Sequence, residues 1–485
     1  MKKKKDMKKN KKKLNIFSRF IAIIFDIMLA ILLGLIVYMD VLPTKYFSLV
    51  VGILLFIALI FNLVLFIPKV KSKLKITVIV FTIILMIPFG LGINYLYTTV
   101  DFLNTITDSK YQIENYYVVV LDNDTYDKLS DLGTDSMGIY KSNSNTYKKA
   151  KEKLESKVKT KNTEYEDLAQ LGNDLLEEKV DAIFLSESYK TNLDDELDGF
   201  ISSTKVIDTI SIKTKSKDIA KKVKVTKQSF NIFVSGIDTY GAISSVSRSD
   251  VNMIVTVNPN THEILLTSIP RDYYVQLHGT TGLKDKLTHA GTYGVDKSVT
   301  TIEDLFDIDI NYYVKVNFTT LIDVVDVIGG IDINSDASFV PWTDGTVRVK
   351  KGINHFNGKE ALAYSRERHA YQEGDRHRVQ NQQDVITAIM NKVLTSKTLI
   401  SKYNSLLNTL DGSFQTNMDM SSLTSLIKKQ IDTMPKWTIT SQSVNGSDSS
   451  DYTYSAPSQK LYVMIPDMKT VTTASQKINE VLNNK

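Results

Sequence analysis

FNIFVSGIDTYGAISSVSRSDVNMIVTVNPNTHEILLTSIPRD, residues 230–272, reads as three successive strands with polar chemistry at their ends. Phe230–Ile237 (FNIFVSGI) closes on Gly-Ile-Asp, Val251–Val257 (VNMIVTV) is stopped by Asn258-Pro259, and Ile264–Ile269 ends at Pro270-Arg271-Asp272. Apolar, β-branched runs cut by turn residues are the mark of strands. Downstream, Tyr312–Val316 reads as a fourth strand, followed by a helical run Leu321–Ile328, a Gly329-Gly330 stop and a strand Ile331–Ile333. Ser401–Leu410, Ser421–Met434 and Thr473–Leu482 have helical composition, and Trp437–Val444 that of a strand. Strands alternating with helices imply an α/β domain whose sheet is covered on both faces, with functional residues on loops at strand ends. Asp238, Asp250 and Arg271 hold such positions.

A second stretch concentrates charge. ALAYSRERHAYQEGDRHRVQNQQDVI, Ala361–Ile386, holds Arg366, Arg368, Arg376 and Arg378, with Asp375 among them and Gln382 and Gln383 close behind. The other arginines are only Arg19, Arg248, Arg271 and Arg348, in a chain that otherwise strongly prefers lysine. A guanidinium is a flat, permanently charged fork that grips phosphate oxygens in pairs, which lysine cannot imitate. The competing reading is a solvated helix face with intrahelical ion pairs.

The formal net charge of +5 is unevenly placed. Residues 1–97 carry fifteen Lys/Arg against Asp6, Asp26 and Asp40, a balance of +12, which leaves −7 for residues 98–485. The large part is therefore mildly acidic, and a global nucleic-acid footprint is absent. Cysteine is missing, which excludes disulfides and thiolate chemistry and suits an exported protein. After the basic tail, residues 1–19, three apolar runs (20–39, 46–67 and 76–97) are each close to the length of a membrane-spanning helix. With no small-residue cleavage site after the first run, it reads as an anchor. Asp26, inside that run, is expected to reach back toward the interface near Arg19. Lys2–Lys13 and Lys69, Lys71, Lys73 and Lys75 make the tail and the second loop cytoplasmic by the positive-inside rule, which places residues 98–485 outside the cell.

Residues 111–216 read as a small accessory α/β unit. Tyr116–Leu121 and Ala182–Leu185 are its strands, and Lys148–Val158 and Tyr165–Glu178 its helices. Ser211–Val225 reads as a basic, polar connector to the next domain, residues 226–485.

Asp238 and Asp250, with no cysteine in the chain, suit a hard oxygen-seeking cation. Magnesium typically takes one or two carboxylates and completes its shell with water and substrate phosphate. Arg271, Arg366, Arg368 and Arg378 would neutralise a diphosphate as charge develops on a leaving oxygen. Asp375, amid arginines, is expected to be ionised and to orient or deprotonate an attacking hydroxyl. As a loop carboxylate, Asp250 is expected to contribute little packing. All six histidines lie between His262 and His377 but none at metal-helix spacing, so packing or surface roles are expected for most; His369 and His377 are close enough in sequence to touch substrate.

GID (236–238), RSDVNMIVTVNP (248–259), SIPRD (268–272), DKLTHA (285–290), NYYVKVNF (311–318), IDVVDVIGGIDI (322–333), FNGKEALAYSRER (356–368) and GDRHR with NQQDVI (374–386) together resemble the LytR–CpsA–Psr family. The ordered series covers most of residues 230–390. Three membrane helices followed by an accessory domain resemble the capsule-locus members of that family. The resemblance implies an α/β/α sandwich with an apolar pocket for a lipid tail. It also implies a Mg²⁺-dependent enzyme that transfers a glycan phosphate, such as a capsular polysaccharide, from a polyprenyl-pyrophosphate carrier to peptidoglycan. On that resemblance Asp238 and Asp250 are the metal carboxylates. Arg271, Arg366 and Arg368 bind the pyrophosphate with Gln382, Arg248 and Arg378 fall on family arginine positions, and Asp375 is the base. The implied partners are the lipid-linked glycan, peptidoglycan, the membrane and other capsule-assembly proteins, with no nucleic acid. Two other readings compete: a membrane-bound regulator of capsule expression, and a non-catalytic polyprenyl-phosphate receptor.

Overall fold

The structure is a computed structural model that describes residues 2–142, 144–197, 199–237, 243–371, 375–395 and 412–484. Two compact units divide the chain. The expected helix Ser401–Leu410 lies outside the described residues.

The first unit is built on three long helices, α1 (Lys2–Met39), α2 (Thr44–Phe66) and α3 (Ser72–Thr107), each long and apolar enough to cross a membrane. Large side chains such as Ile27, Phe56, Leu59 and Ile87 face outward, while Phe25, Leu29, Ala58 and Phe89 pack together inside. That inversion is what a lipid solvent favours: outer faces stay apolar, and close packing holds the bundle. Asp26, expected near the interface, has its partner on a neighbouring helix. It accepts a hydrogen bond from the Asn62 amide of α2 at 2.8 Å, because a carboxylate inside an apolar bundle is cheaper to keep where a neighbouring helix offers a donor. A later helix, Met420–Thr433, belongs to this unit; its Lys428 and Asp432 pair with Asp40 (2.6 Å) of the α1–α2 loop and with Lys45 (2.8 Å) in the first turn of α2.

The second unit opens with the accessory fold. Its sheet runs β3-β2-β4-β1-β5, from β1 (Tyr111–Leu121), β2 (Ser136–Tyr140), β3 (Lys161–Tyr165), β4 (Ala182–Ser186) and β5 (Thr204–Lys215). The helices are α4 (Asn145–Lys157), α5 (Leu168–Leu176) and α6 (Glu187–Glu196). Ser144, Asp167 and Ser186 cap them through their side chains, the usual way to satisfy first-turn amides. The expected connector is corrected at its start. Ser211–Lys215 is the end of β5, paired with β1, because Ile210 and Ile212 point inward while the lysines alternate outward.

The larger fold is a six-stranded mixed sheet ordered β14-β11-β6-β7-β8-β15, beside which β9 (Tyr274–Val275) pairs with β10 (Asp285–Lys286), followed by α7 (Leu287–Ala290). β6 (Phe230–Ile237), β7 (Ser249–Asn258) and β8 (Glu263–Ile269) are the three antiparallel strands of the opening stretch, and β11 (Tyr312–Asn317) adds parallel to β6. β14 (Phe414–Thr416) and β15 (Thr438–Ser443) close the edges. On one face α8 (Val295–Phe306) and the C-terminal helix Met468–Asn483 bury Val299, Ile302, Val471 and Ile478 against Phe233 and Ile254. The other face carries α9 (Phe318–Val327), α10 (Gly358–Arg366) and α11 (Asp375–Thr395), giving an α/β/α sandwich. The expected strand Ile331–Ile333 leaves this sheet and pairs as β12 (Ile331–Ser335) with β13 (Gly352–Phe356).

Lys315 of β11 is buried, and its ammonium donates to the Ser245 carbonyl at 2.9 Å. Burial pulls its pKa down to about 8, against an opposing pull from Glu187. An unfolded lysine titrates near 10.4, so between those values the unfolded chain binds more protons and stability rises with pH. Below about pH 8 the buried charge costs stability. Lys315→Met is expected to gain about 1–3 kcal/mol at pH 7 and to flatten the rise from pH 8 to 10, read by urea denaturation across that range.

Candidate active site

A cavity of about 160 Å³ opens between the sheet and the α9–α11 layer. Val234 and Gly236 of β6 face it, opposite to Phe233, as strand alternation requires. Gly236 is needed there: a Cβ would stand 2.7 Å from that of Val251 on β7, at the point where the β6–β7 register shifts.

The polar end is built around Asp250. Its Oδ2 accepts from Arg271 at 2.8 Å and its Oδ1 from Thr288 at 3.0 Å. Burial alone would raise the Asp250 carboxyl, but the guanidiniums of Arg271, Arg248 and Arg378, with the Thr288 hydroxyl, hold it well below the usual carboxylate range. Asp250 is therefore an ionised residue of β7 whose side chain is only 11% exposed, which corrects the expectation that it packs little. Arg271 is steadied from its other side by Asp272, 3.4 Å from Nε, and Asp272 also lies 3.4 Å from Lys286. Arg248 sits in a loop propped by Gly291, where a Cβ would fall 2.5 Å from the Ser247 carbonyl oxygen.

The arginine pair depends on where α10 stops. The helix ends at Arg366, and Glu367 turns extended (φ −68°, ψ 131°). Its buried carboxylate accepts the amides of Trp342 (2.6 Å), His369 (2.5 Å) and Ala370 (2.8 Å). Residues two apart in a continued helix would diverge by about 200°. Here Arg366 and Arg368 both line the cavity, and the Arg366 guanidinium stacks over the Phe318 ring at 4.4 Å. Arg378 and Gln382, one turn apart on α11, complete the polar wall.

Of the residues singled out in the sequence, Asp250, Arg271, Arg366, Arg368, Arg378 and Gln382 thus meet in one cavity, with Arg248 behind it. Asp238 lies outside the described residues. Asp375 opens α11, but its side chain lies outside them too. Gln383 turns away to Ser268 and the Gln442 carbonyl. His377 stacks on Tyr371, and His369 lies against Trp342, with ring centroids 3.4 and 5.1 Å apart. His289 is fully buried with Asp285 and Ser455, both 2.7 Å from Nδ1. The resemblance implied an apolar pocket but named no residues for it; its wall is Phe318, Leu321, Leu362, Val385 and Ile386, with Trp342, 70% exposed, also lining the cavity.

Comparison with known proteins agrees with the motif series. The model of the LytR_cpsA_psr family matches residues 196–474, and the chain belongs to that family. It is 35% identical over 200 residues to the polyisoprenyl-teichoic acid–peptidoglycan teichoic acid transferase TagU of Bacillus cereus, covering 41% of this chain and 64% of that one. It is 34% identical over 219 residues to biofilm regulatory protein A of Streptococcus mutans, covering 42% of this chain and 53% of that one. The chain thus spans less than two thirds of either relative's length. The crystal structure of B. subtilis TagV aligns at 31% identity with a TM-score of 0.44, over 53% of this chain and 99% of that one.

Proposed function

We propose that this protein is a phosphotransferase that moves a glycan phosphate, such as that of a capsular polysaccharide, from a polyprenyl-pyrophosphate carrier to peptidoglycan. One observation carries the reading: a single cavity is lined both by four arginines and by aliphatic and aromatic side chains. That combination suits an amphiphile with a multiply charged head and a hydrocarbon tail. The TagU relative carries a name that describes the same class of transfer.

In this reading an acceptor hydroxyl attacks the phosphorus bearing the glycan, forming a phosphodiester. The bond to the bridging oxygen breaks, and polyprenyl phosphate leaves with the electron pair. Asp375 takes the hydroxyl proton. Arg271, Arg366, Arg368 and Arg378, with Gln382, hold the diphosphate and stabilise the leaving oxygens, where preorganised donors are worth most.

The residues present fit a magnesium ion bound through few protein ligands. Asp250 is ionised, and each of its oxygens keeps a lone pair beyond the bond it already accepts. Among the described residues no group of three or more His, Cys, Asp or Glu could form an all-protein cage. Asp250, with Asp238 as the second carboxylate, would hold the ion, which would supply charge neutralisation on the diphosphate. The test is release of polyprenyl phosphate from a synthetic lipid-linked donor by the full chain in liposomes. No release with acceptor present would overturn the reading, and undiminished release in excess chelator would remove the metal from it.

Placement in the membrane, with the N-terminus and the 68–75 loop inside and residues 98–485 outside, follows from the lysine asymmetry. The pairs Lys428–Asp40 and Asp432–Lys45 support it, since they join the turn between α1 and α2 to the helix Met420–Thr433. Reporter fusions at residue 72 are expected to be active only inside; activity outside would reverse the orientation.

A further inference from the structure

A second cavity, of about 200 Å³, lies where the accessory fold meets the loop before β7. Its walls carry five tyrosines: Tyr116, Tyr140, Tyr147 and Tyr189 from the accessory fold, and Tyr293 from beyond β7. Between them stand Ser142, Ser144, Ser186 and Ser188, with the Glu114 carboxylate and the Gln112 amide. Among the described lining residues there is no lysine or arginine. Burial pushes the phenols of Tyr116, Tyr189 and Tyr293 up, so all three stay neutral hydroxyl donors.

The polar groups are not all used within the protein. Tyr116 donates to Glu114 at 2.6 Å and accepts from Thr146 at 3.0 Å. Tyr147 is only 5% exposed, yet its hydroxyl has no hydrogen-bond partner among the described residues. A buried hydroxyl left unpaired costs about 1–3 kcal/mol, and a phenylalanine would fill the same space without that cost. That hydroxyl is sealed from the open cavity, so it is a donor that a bound ring would uncover. Flat aromatic faces suit the C–H faces of a sugar ring, and serine, amide and carboxylate groups suit its hydroxyls. The lone carboxylate and missing cations disfavour any anionic ring.

We propose that this cavity is a saccharide subsite that takes one uncharged pyranose ring. Its floor ties it to the chemistry. Ile113 of β1 exchanges backbone hydrogen bonds with Ser244 and Val246, both 3.0 Å, and Val246 lines the cavity two residues before Arg248. A bound ring would thus steady the segment that carries Arg248 and Asp250. That the ring belongs to the donor glycan or the peptidoglycan acceptor rests on the transfer proposed above; the pocket's own chemistry does not.

The test is calorimetry with the full chain in a detergent free of sugar, with the methyl glycosides of glucose and N-acetylglucosamine as probes and glucuronate as the charged control. Saturable binding of at least one neutral glycoside is expected, with none of glucuronate. Tyr147→Phe is expected to weaken it about two- to tenfold without lowering the melting temperature of the free protein. A purely structural tyrosine would instead lower that temperature and leave affinity unchanged, which would overturn the proposal. So would failure of both neutral glycosides to bind, or tighter binding of glucuronate. Because no turnover is involved, a chain that binds glycoside but releases no polyprenyl phosphate would overturn the transfer reading alone. A chain that transfers but binds neither glycoside would overturn this one alone.

Discussion

Asp250→Ala is expected to cut polyprenyl phosphate release by at least about a hundredfold and to weaken the fold by about 3–5 kcal/mol. Both effects follow from its surroundings. Arg271 lies 2.8 Å away, and Arg248 and Arg378 also act on its carboxylate. Removing Asp250 leaves enclosed cations facing one another with only Asp272 beside Arg271, which costs more than the pair itself contributes. Asp250→Asn keeps the shape, so it separates charge from packing. It is expected to lose activity as severely and stability only in part. The acid side of the stability curve adds a check. The folded carboxyl lies below its unfolded value, so its contribution is complete above about pH 4 and is lost as pH falls below that. Asp250→Asn is therefore expected to be destabilised at pH 7 and measurably less so at pH 3, by urea denaturation. Equal destabilisation at both values, or wild-type turnover in either variant, would take Asp250 out of the site.

The strands that carry the site were legible because they are simple. β6, β7, β8 and β11 are continuous apolar runs cut by Gly, Pro or Asn, so pattern and position coincide. The accessory strands were harder. Lys161–Tyr165 is an exposed edge, and Thr204–Lys215 buries only alternate residues between lysines, so both read as polar chain. Ile331–Ile333 was legible as a strand but not as one that leaves the main sheet, since pairing partners are set by the loop to β13. At the site, the arginines announced themselves by type against a lysine background. The residues that make them useful did not. Phe318 under Arg366, Thr288 beside Asp250 and Glu367 at the end of α10 are ordinary until the fold brings them together. Tyr147 is another such case: nothing in its sequence neighbourhood says that its hydroxyl would be buried without a partner.

Arg366→Lys and Arg368→Lys are each expected to lower release from the lipid-linked donor by about tenfold or more, although both keep their charge. The geometry explains why charge alone is not enough. α10 ends at Arg366, and Glu367 is pinned by three backbone amides, so both guanidiniums are delivered to the cavity from a fixed turn. A lysine there offers a point charge on a flexible stem, with no planar fork for a pair of phosphate oxygens. At position 366 it also gives up the flat stacking over Phe318 that sets the fork's direction. Truncation to alanine should cost more, on the order of 2–4 kcal/mol of transition-state stabilisation, because the cavity excludes much of the water that would otherwise screen the loss. Glu367→Gln gives an independent arm. It keeps the shape but weakens the three amide contacts, so it is expected to lower turnover without touching the diphosphate. A solvated helix face predicts the opposite, with nearly wild-type release for all of the lysine and glutamine variants. If circular dichroism shows them folded and their rates match the parent, this turn does not hold the diphosphate.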